Sequence, residues 1–216
     1  MRVLWFMCVL SLVVFAKDMT PHLDKNEKLF KQTKLYKLKD FDFGWKVKSL
    51  SVFSFVKIYN ENKKLNFKEL QPIVKTKKVY TKDEKNYILY FANLMKDRKN
   101  YPIKIGYGPW GYRYYLVVFE DDSGKMFALE NQTELKDMLG SINTPAELYL
   151  WILLKYYEKP YSYIWQKNII RVRYSIWDIG KCYYSEYFKF YDTNGKFIKK
   201  KQLRTYHKKG CVEILE

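Results

Sequence analysis

One stretch constrains this chain more than any other: Thr144-Pro145-Ala146-Glu147-Leu148-Tyr149-Leu150-Trp151-Ile152-Leu153-Leu154-Lys155-Tyr156-Tyr157. Its start is marked three ways. Thr144 is an N-cap residue, Pro145 has the fixed φ suited to the first helical position, and Glu147 stands where it closes a capping box. From Leu148 to Leu154 the run is apolar without a break, so the helix has no solvated stripe over its central turns and must be covered on most sides. At about 1.5 Å per residue it is roughly 20 Å long, short of the roughly 30 Å core of a bilayer, so it reads as a core helix and not as a membrane span.

The segments around it read mostly as strands. Between Trp45 and Tyr59, Leu50, Val52, Ser54, Val56 and Ile58 alternate with Ser49, Ser51, Phe53, Phe55 and Lys57, which predicts a strand with two largely apolar faces. Further strands are predicted over Ile73 to Tyr80 and Tyr87 to Leu94, separated by a charged turn from Thr81 to Asn86. Asp121-Asp122-Ser123-Gly124 is a turn sequence between a strand over Tyr112 to Glu120 and a return strand over Lys125 to Glu130. A short helix over Thr133 to Leu139 ends at Gly140. After Pro160, Ile169 to Trp177 reads as a half-buried strand with Ile170, Val172, Tyr174 and Ile176 inward. Tyr183 to Tyr191 and Lys196 to Tyr206 form a hairpin around Asp192-Thr193-Asn194-Gly195.

Together these elements predict an α+β fold: antiparallel β-sheet packed around a short buried helix (144–157), with a C-terminal three-stranded sheet. The organisation expected is a signal peptide at 1–16, a polar lysine-rich lead-in at 17–44 with one short helix near Asn26 to Tyr36, and an α+β domain at 45–216. That domain is one unit or two subdomains, 45–130 and 131–216. A hydrophobic fraction of 48% is enough for a real core, and 21 Tyr and 6 Trp imply that much of it is ring surface with polar handles.

The first residues carry the export signal. Arg2 precedes a nearly unbroken apolar run from Val3 to Ala16 with modest-sized residues at Val14 and Ala16, the three parts of a secretory leader cleaved after Ala16. Cys8 does not make a lipid-anchoring site, because the residue before it, Met7, is bulky. The expected location is therefore periplasmic or secreted, with no integral membrane span in the mature chain. Cys182 and Cys211 then remain in an oxidising compartment and are expected to pair as a disulfide, the alternative being two separate buried thiols.

Charge points to the partner class. Forty Lys and Arg against 23 Asp and Glu give a net charge of +17, which attracts anions or simply reflects a lysine-rich composition. Lys196, Lys199, Lys200, Lys201, Arg204, Lys208 and Lys209 crowd the last strand with no acid among them. They read either as a binding surface for an anionic polymer or acidic protein, or as lysines guarding an edge strand. A second candidate contact surface is the aromatic loop with Tyr107, Trp110, Tyr112 and Arg113. Its glycines, Gly106, Gly108 and Gly111, match G-x-G-x-x-G, but Pro109 and Trp110 interrupt the loop and a strand follows in place of a helix, which argues against nucleotide binding.

Enzymatic chemistry has little to work with. There are only two histidines, His22 and His207, and no metal-ligand spacing, so neither a metal nor a cofactor is expected. The remaining catalytic arrangement is nuclease-like, with Glu186 as base, His207 as acid and Arg171, Arg173 and Arg204 on phosphate. The reading favoured is an exported, non-enzymatic binding or interaction protein of the cell envelope or secreted space. The alternatives are a small basic secreted hydrolase built on Glu186 and His207, and a structural envelope component.

Overall fold

The computed structural model describes residues 23–31, 36–57, 64–77, 79–97, 104–108, 111–156, 158–178 and 183–207. The signal peptide expected at 1–16 lies outside the described residues. Along the chain run β1 (Lys28–Leu29), β2 (Ser49–Lys57), β3 (Gln71–Lys75), α1 (Lys82–Asp97), β4 (Lys104–Gly108), β5 (Gly111–Glu120) and β6 (Met126–Ala128). There follow α2 (Gln132–Leu139), α3 (Pro145–Trp151) with a wider π-type continuation at Ile152–Tyr156, β7 (Ser162–Gln166), β8 (Ile169–Asp178), β9 (Tyr183–Asp192) and β10 (Phe197–His207). All strand pairs are antiparallel: one sheet is ordered β3-β2-β5-β4, with β6 also on β5, and the other β1-β7-β8-β9-β10. The fold is α+β, mostly sheet.

The capped helix sits between the sheets as its sequence requires. Thr144 Oγ1 accepts from the Glu147 N–H at 3.2 Å, while Glu147 accepts from the N–H groups of Thr144 at 3.0 Å, Asn143 at 2.8 Å and Asp42. Every residue from Ala146 to Leu154 is buried. They join one core with Leu50, Val52, Tyr115, Val117 and Phe119 of the first sheet and Ile170, Val172, Tyr174, Tyr187 and Tyr191 of the second. Burial pushes the Glu147 carboxyl above its ordinary value, although the N–H groups it accepts from pull the other way.

β2 has two apolar faces because it is covered twice. Leu50 and Val52 meet the α3 side, whereas Phe53 and Phe55 pack with Leu116 and Val118 under α1. This α1 corrects the expected strand over Tyr87 to Leu94. Thr81 Oγ1 accepts from the Glu84 N–H at 3.2 Å and Glu84 accepts from the Thr81 N–H at 2.8 Å, a capping box inside what reads as a charged turn. Ile88, Ala92 and Met95, all fully buried, then fall on one helical face, and that spacing outweighs the β-preference of the aromatic run.

The three C-terminal strands expected are β8, β9 and β10, and β7 and β1 extend their sheet. The lead-in takes part: β1 pairs Lys28 with Tyr163 and Leu29 with Ser162, in place of the short helix expected there. Tyr36 and Phe41 join the main core. The β9–β10 register also differs from a simple hairpin. Tyr191 pairs with Phe197 rather than Lys196, and register shifts at Phe197/Lys199 and Gln202/Arg204 bring Thr205 opposite Ser185. Ile176, expected inward, is 44% exposed, and Arg173, expected outward, is 4% exposed.

The turn of that hairpin is seated on α3. Trp151 Nε1 donates to the Gly195 carbonyl at 2.8 Å, Tyr156 Oη donates to the same oxygen at 3.0 Å, and the Ile142 N–H donates to Thr193 O at 3.0 Å. Gly195 has φ +75°, and a Cβ there would lie 2.3 Å from Trp151 Nε1 and 2.5 Å from Ile142 Cδ1. A Gly195→Ala protein is therefore expected to lose about 2–5 kcal/mol of stability in urea unfolding, from the left-handed backbone and the overpacking together. A loss near zero would mean that the turn is not held against the helix.

Candidate functional site

Antiparallel pairing builds an ionic cluster on the face of the second sheet opposite the main core. β8 sets Arg173 opposite Phe188 and Ser175 opposite Glu186, and β10 sets Arg204 opposite Glu186. The Arg171 and Arg173 guanidiniums lie over the Phe188 ring, 4.2 and 4.6 Å from its centre. Glu186 is 1% exposed and saturated with donors. Its Oε1 accepts from Tyr184 Oη at 2.8 Å and Arg204 Nη2 at 2.7 Å, and its Oε2 from Arg204 Nε at 2.9 Å and Arg173 Nη1 at 3.2 Å.

The lead-in completes the cluster. Glu27 has a fully buried side chain that takes Arg173 bidentately, with Nε at 2.6 Å and Nη2 at 2.7 Å, and also accepts from Ser162 Oγ. Asp24 takes Arg171 Nη2 at 2.5 Å. Burial pushes both Glu27 and Glu186 up, but hydrogen bonds from Arg173 to Glu27 and from Arg204 to Glu186 outweigh it and hold both below the ordinary carboxylate value. Burial likewise opposes the charge of Arg173, and the bonds and charges of Glu27 and Glu186 keep its pKa raised.

Of the nuclease-like residues, the structure thus brings together Glu186, Arg173 and Arg204, with Arg171 beside them. A carboxylate that already accepts four hydrogen bonds and is held in its charged form is poorly suited to take a proton. The His207 backbone pairs with Tyr183, three rungs beyond the Glu186–Arg204 rung. Asp24 and Glu27 are the members that sequence reasoning missed. Their signal was a pair of acids three apart in a lysine-rich stretch, just before the apolar pair Leu29-Phe30.

The basic strip behaves differently from the arginines. Lys196, Lys199, Lys200 and Lys201 are all exposed, and no acid pairs with them among the described residues. Lys199 lies 5.0 Å from the Phe190 ring centre and Lys200 4.1 Å from that of Tyr187, so cations and rings interleave. β10 is the last strand in its sheet. In the aromatic loop, Tyr107 pairs with Tyr112, Ile105 with Arg113 and Gly108 with Gly111, so the glycine motif is the closing end of the β4–β5 hairpin. Trp110, Cys182, Cys211, Lys208 and Lys209 lie outside the described residues.

No group of His, Cys, Asp or Glu suited to a metal occurs among the described residues, and no helix among them is long and apolar enough to cross a membrane. Comparison with known proteins finds no matching family model, no matching curated protein and no matching solved structure.

The ionic cluster makes a testable statement about stability. Carboxyls held below their unfolded value of about 4.5 stabilise the fold above that pH, and this contribution is lost as pH falls through their depressed folded values. Arg173→Met leaves Glu27 without its bidentate partner, which is expected to cost about 3–5 kcal/mol in denaturant unfolding at pH 7. The loss should shrink at acid pH, as the pH falls through the depressed folded values of both carboxyls. An equal loss at both pH values would contradict an ionic role.

Proposed function

We propose that the chain is an exported, non-enzymatic binding protein of the cell envelope or secreted space that takes an anionic partner along its last strand. One observation carries the reading. The arginines of the second sheet, Arg171, Arg173 and Arg204, each meet a carboxylate, whereas the consecutive lysines Lys199, Lys200 and Lys201 are exposed at the sheet's edge with no acid against them among the described residues. Charge left unneutralised beside aromatic rings attracts anions. Export rests on Arg2 and the apolar run Val3 to Ala16. The occupied oxygens of Glu186 speak against the hydrolase alternative.

A second reading has its own support. The two register shifts between β9 and β10 bend the edge, and bulges with lysines are a common defence of a sheet edge against aggregation. Chromatography of the purified protein on heparin separates the two. Binding predicts retention at low salt, release as salt rises, and clearly earlier elution of a Lys199→Gln, Lys200→Gln, Lys201→Gln protein. Passage of the wild-type protein without retention at low salt would end the binding reading.

A further inference from the structure

Resting on that reading, we infer that β10 receives an acidic, extended protein segment, which adds to the second sheet as a sixth strand. The first support is geometric. Among the described residues β10 ends the sheet, so every second residue of it directs its N–H and C=O away from β9. Such an edge offers donors and acceptors in alternation. Phosphate or sulfate oxygens of a polyanion satisfy only the donors, whereas a peptide strand satisfies both.

The second support is the placement of charge. Between its register shifts, β10 runs regularly from Lys199 to Gln202, opposite Phe190, Lys189, Phe188 and Tyr187. Alternation puts Lys199 and Lys201 on the face that carries Phe188 and Phe190, and Lys200 on the face that carries Tyr187 and Lys189. A polyanion lying on one face would leave the other lysines unmet. An added strand has side chains on both faces, so a run of consecutive acids meets all three. Phe197 and Ile198, 41% and 48% exposed, stand just before the lysines and offer apolar contact to the end of the same segment. A second copy of this chain is a poor occupant, because pairing β10 with itself about a two-fold axis sets lysines against lysines.

The test uses the purified protein with a short capped peptide carrying a run of glutamates flanked by valines. It is compared with the same peptide N-methylated at alternate residues and with single-stranded DNA and a heparin fragment of matched charge. Strand addition predicts that the unmodified peptide binds and that methylation, which removes several backbone donors without changing charge, weakens it on the order of tenfold or more. It also predicts slowed amide exchange within 199–202, and loss of peptide binding in a Lys200→Glu protein of unchanged circular dichroism. Equal binding of both peptides would overturn strand addition and leave the anion-binding surface standing. Tighter binding of DNA or heparin without amide protection would overturn it in favour of a polyanion. Failure of every probe, heparin included, would remove the anion-binding reading as well.

Discussion

The structure depends on a short helix that has no face to give to water. α3 and its π-type continuation are buried from Ala146 to Leu154, and both sheets spend an apolar face on covering them. Such an element cannot be stable alone, since an isolated helix of this length is marginal and this one would expose only apolar surface. Leu50 and Val117 from one and Val172 and Tyr174 from the other belong to a single core because the helix lies between them. Its ends are fixed by polar contacts: Glu147 collects N–H groups from Asp42, Asn143 and Thr144, and Trp151 holds the Gly195 carbonyl.

From this frame the distribution of charge follows. The second sheet is closed against the helix on one face, and on the other face the arginines of β8 and β10 are neutralised by acids from β9 and from the segment before β1. Guanidiniums suit that task because each can serve two carboxylate oxygens at once, as Arg173 does with Glu27 and Arg204 does with Glu186. Lys199, Lys200 and Lys201 stay outside, on the last described strand of the sheet. On this sheet, among the described residues, Arg171, Arg173 and Arg204 are each paired with an acid, and Lys199, Lys200 and Lys201 are exposed.

How much of this was legible in the sequence varies with the range of the forces involved. Thr144, Pro145 and Glu147 announce the helix start locally, and Asp192 to Gly195 announces the last hairpin just as locally. The register between β9 and β10 was not legible, because bulges are set by packing along the whole ladder. Tyr87 to Leu94 reads as a strand because its rings and branched residues mask a helical face of Ile88, Ala92 and Met95, and the Thr81/Glu84 box sits in a stretch with the composition of a charged turn. The candidate site was half legible. Arg173, Glu186 and Arg204 were singled out as chemistry-bearing residues, but their mutual saturation depends on strand pairing. Glu27, contributed from 146 residues away, had no local signature pointing to Arg173.

One helix shares a single core with both sheets. Native-state amide exchange on a Leu150→Ala protein tests it most directly, by following β2 and β5 together with β8 and β9. A shared core predicts that the most protected amides of both sheets lose the same stability, about 2–5 kcal/mol for a fully buried leucine. Loss confined to one sheet, with the other keeping its wild-type protection, would contradict it.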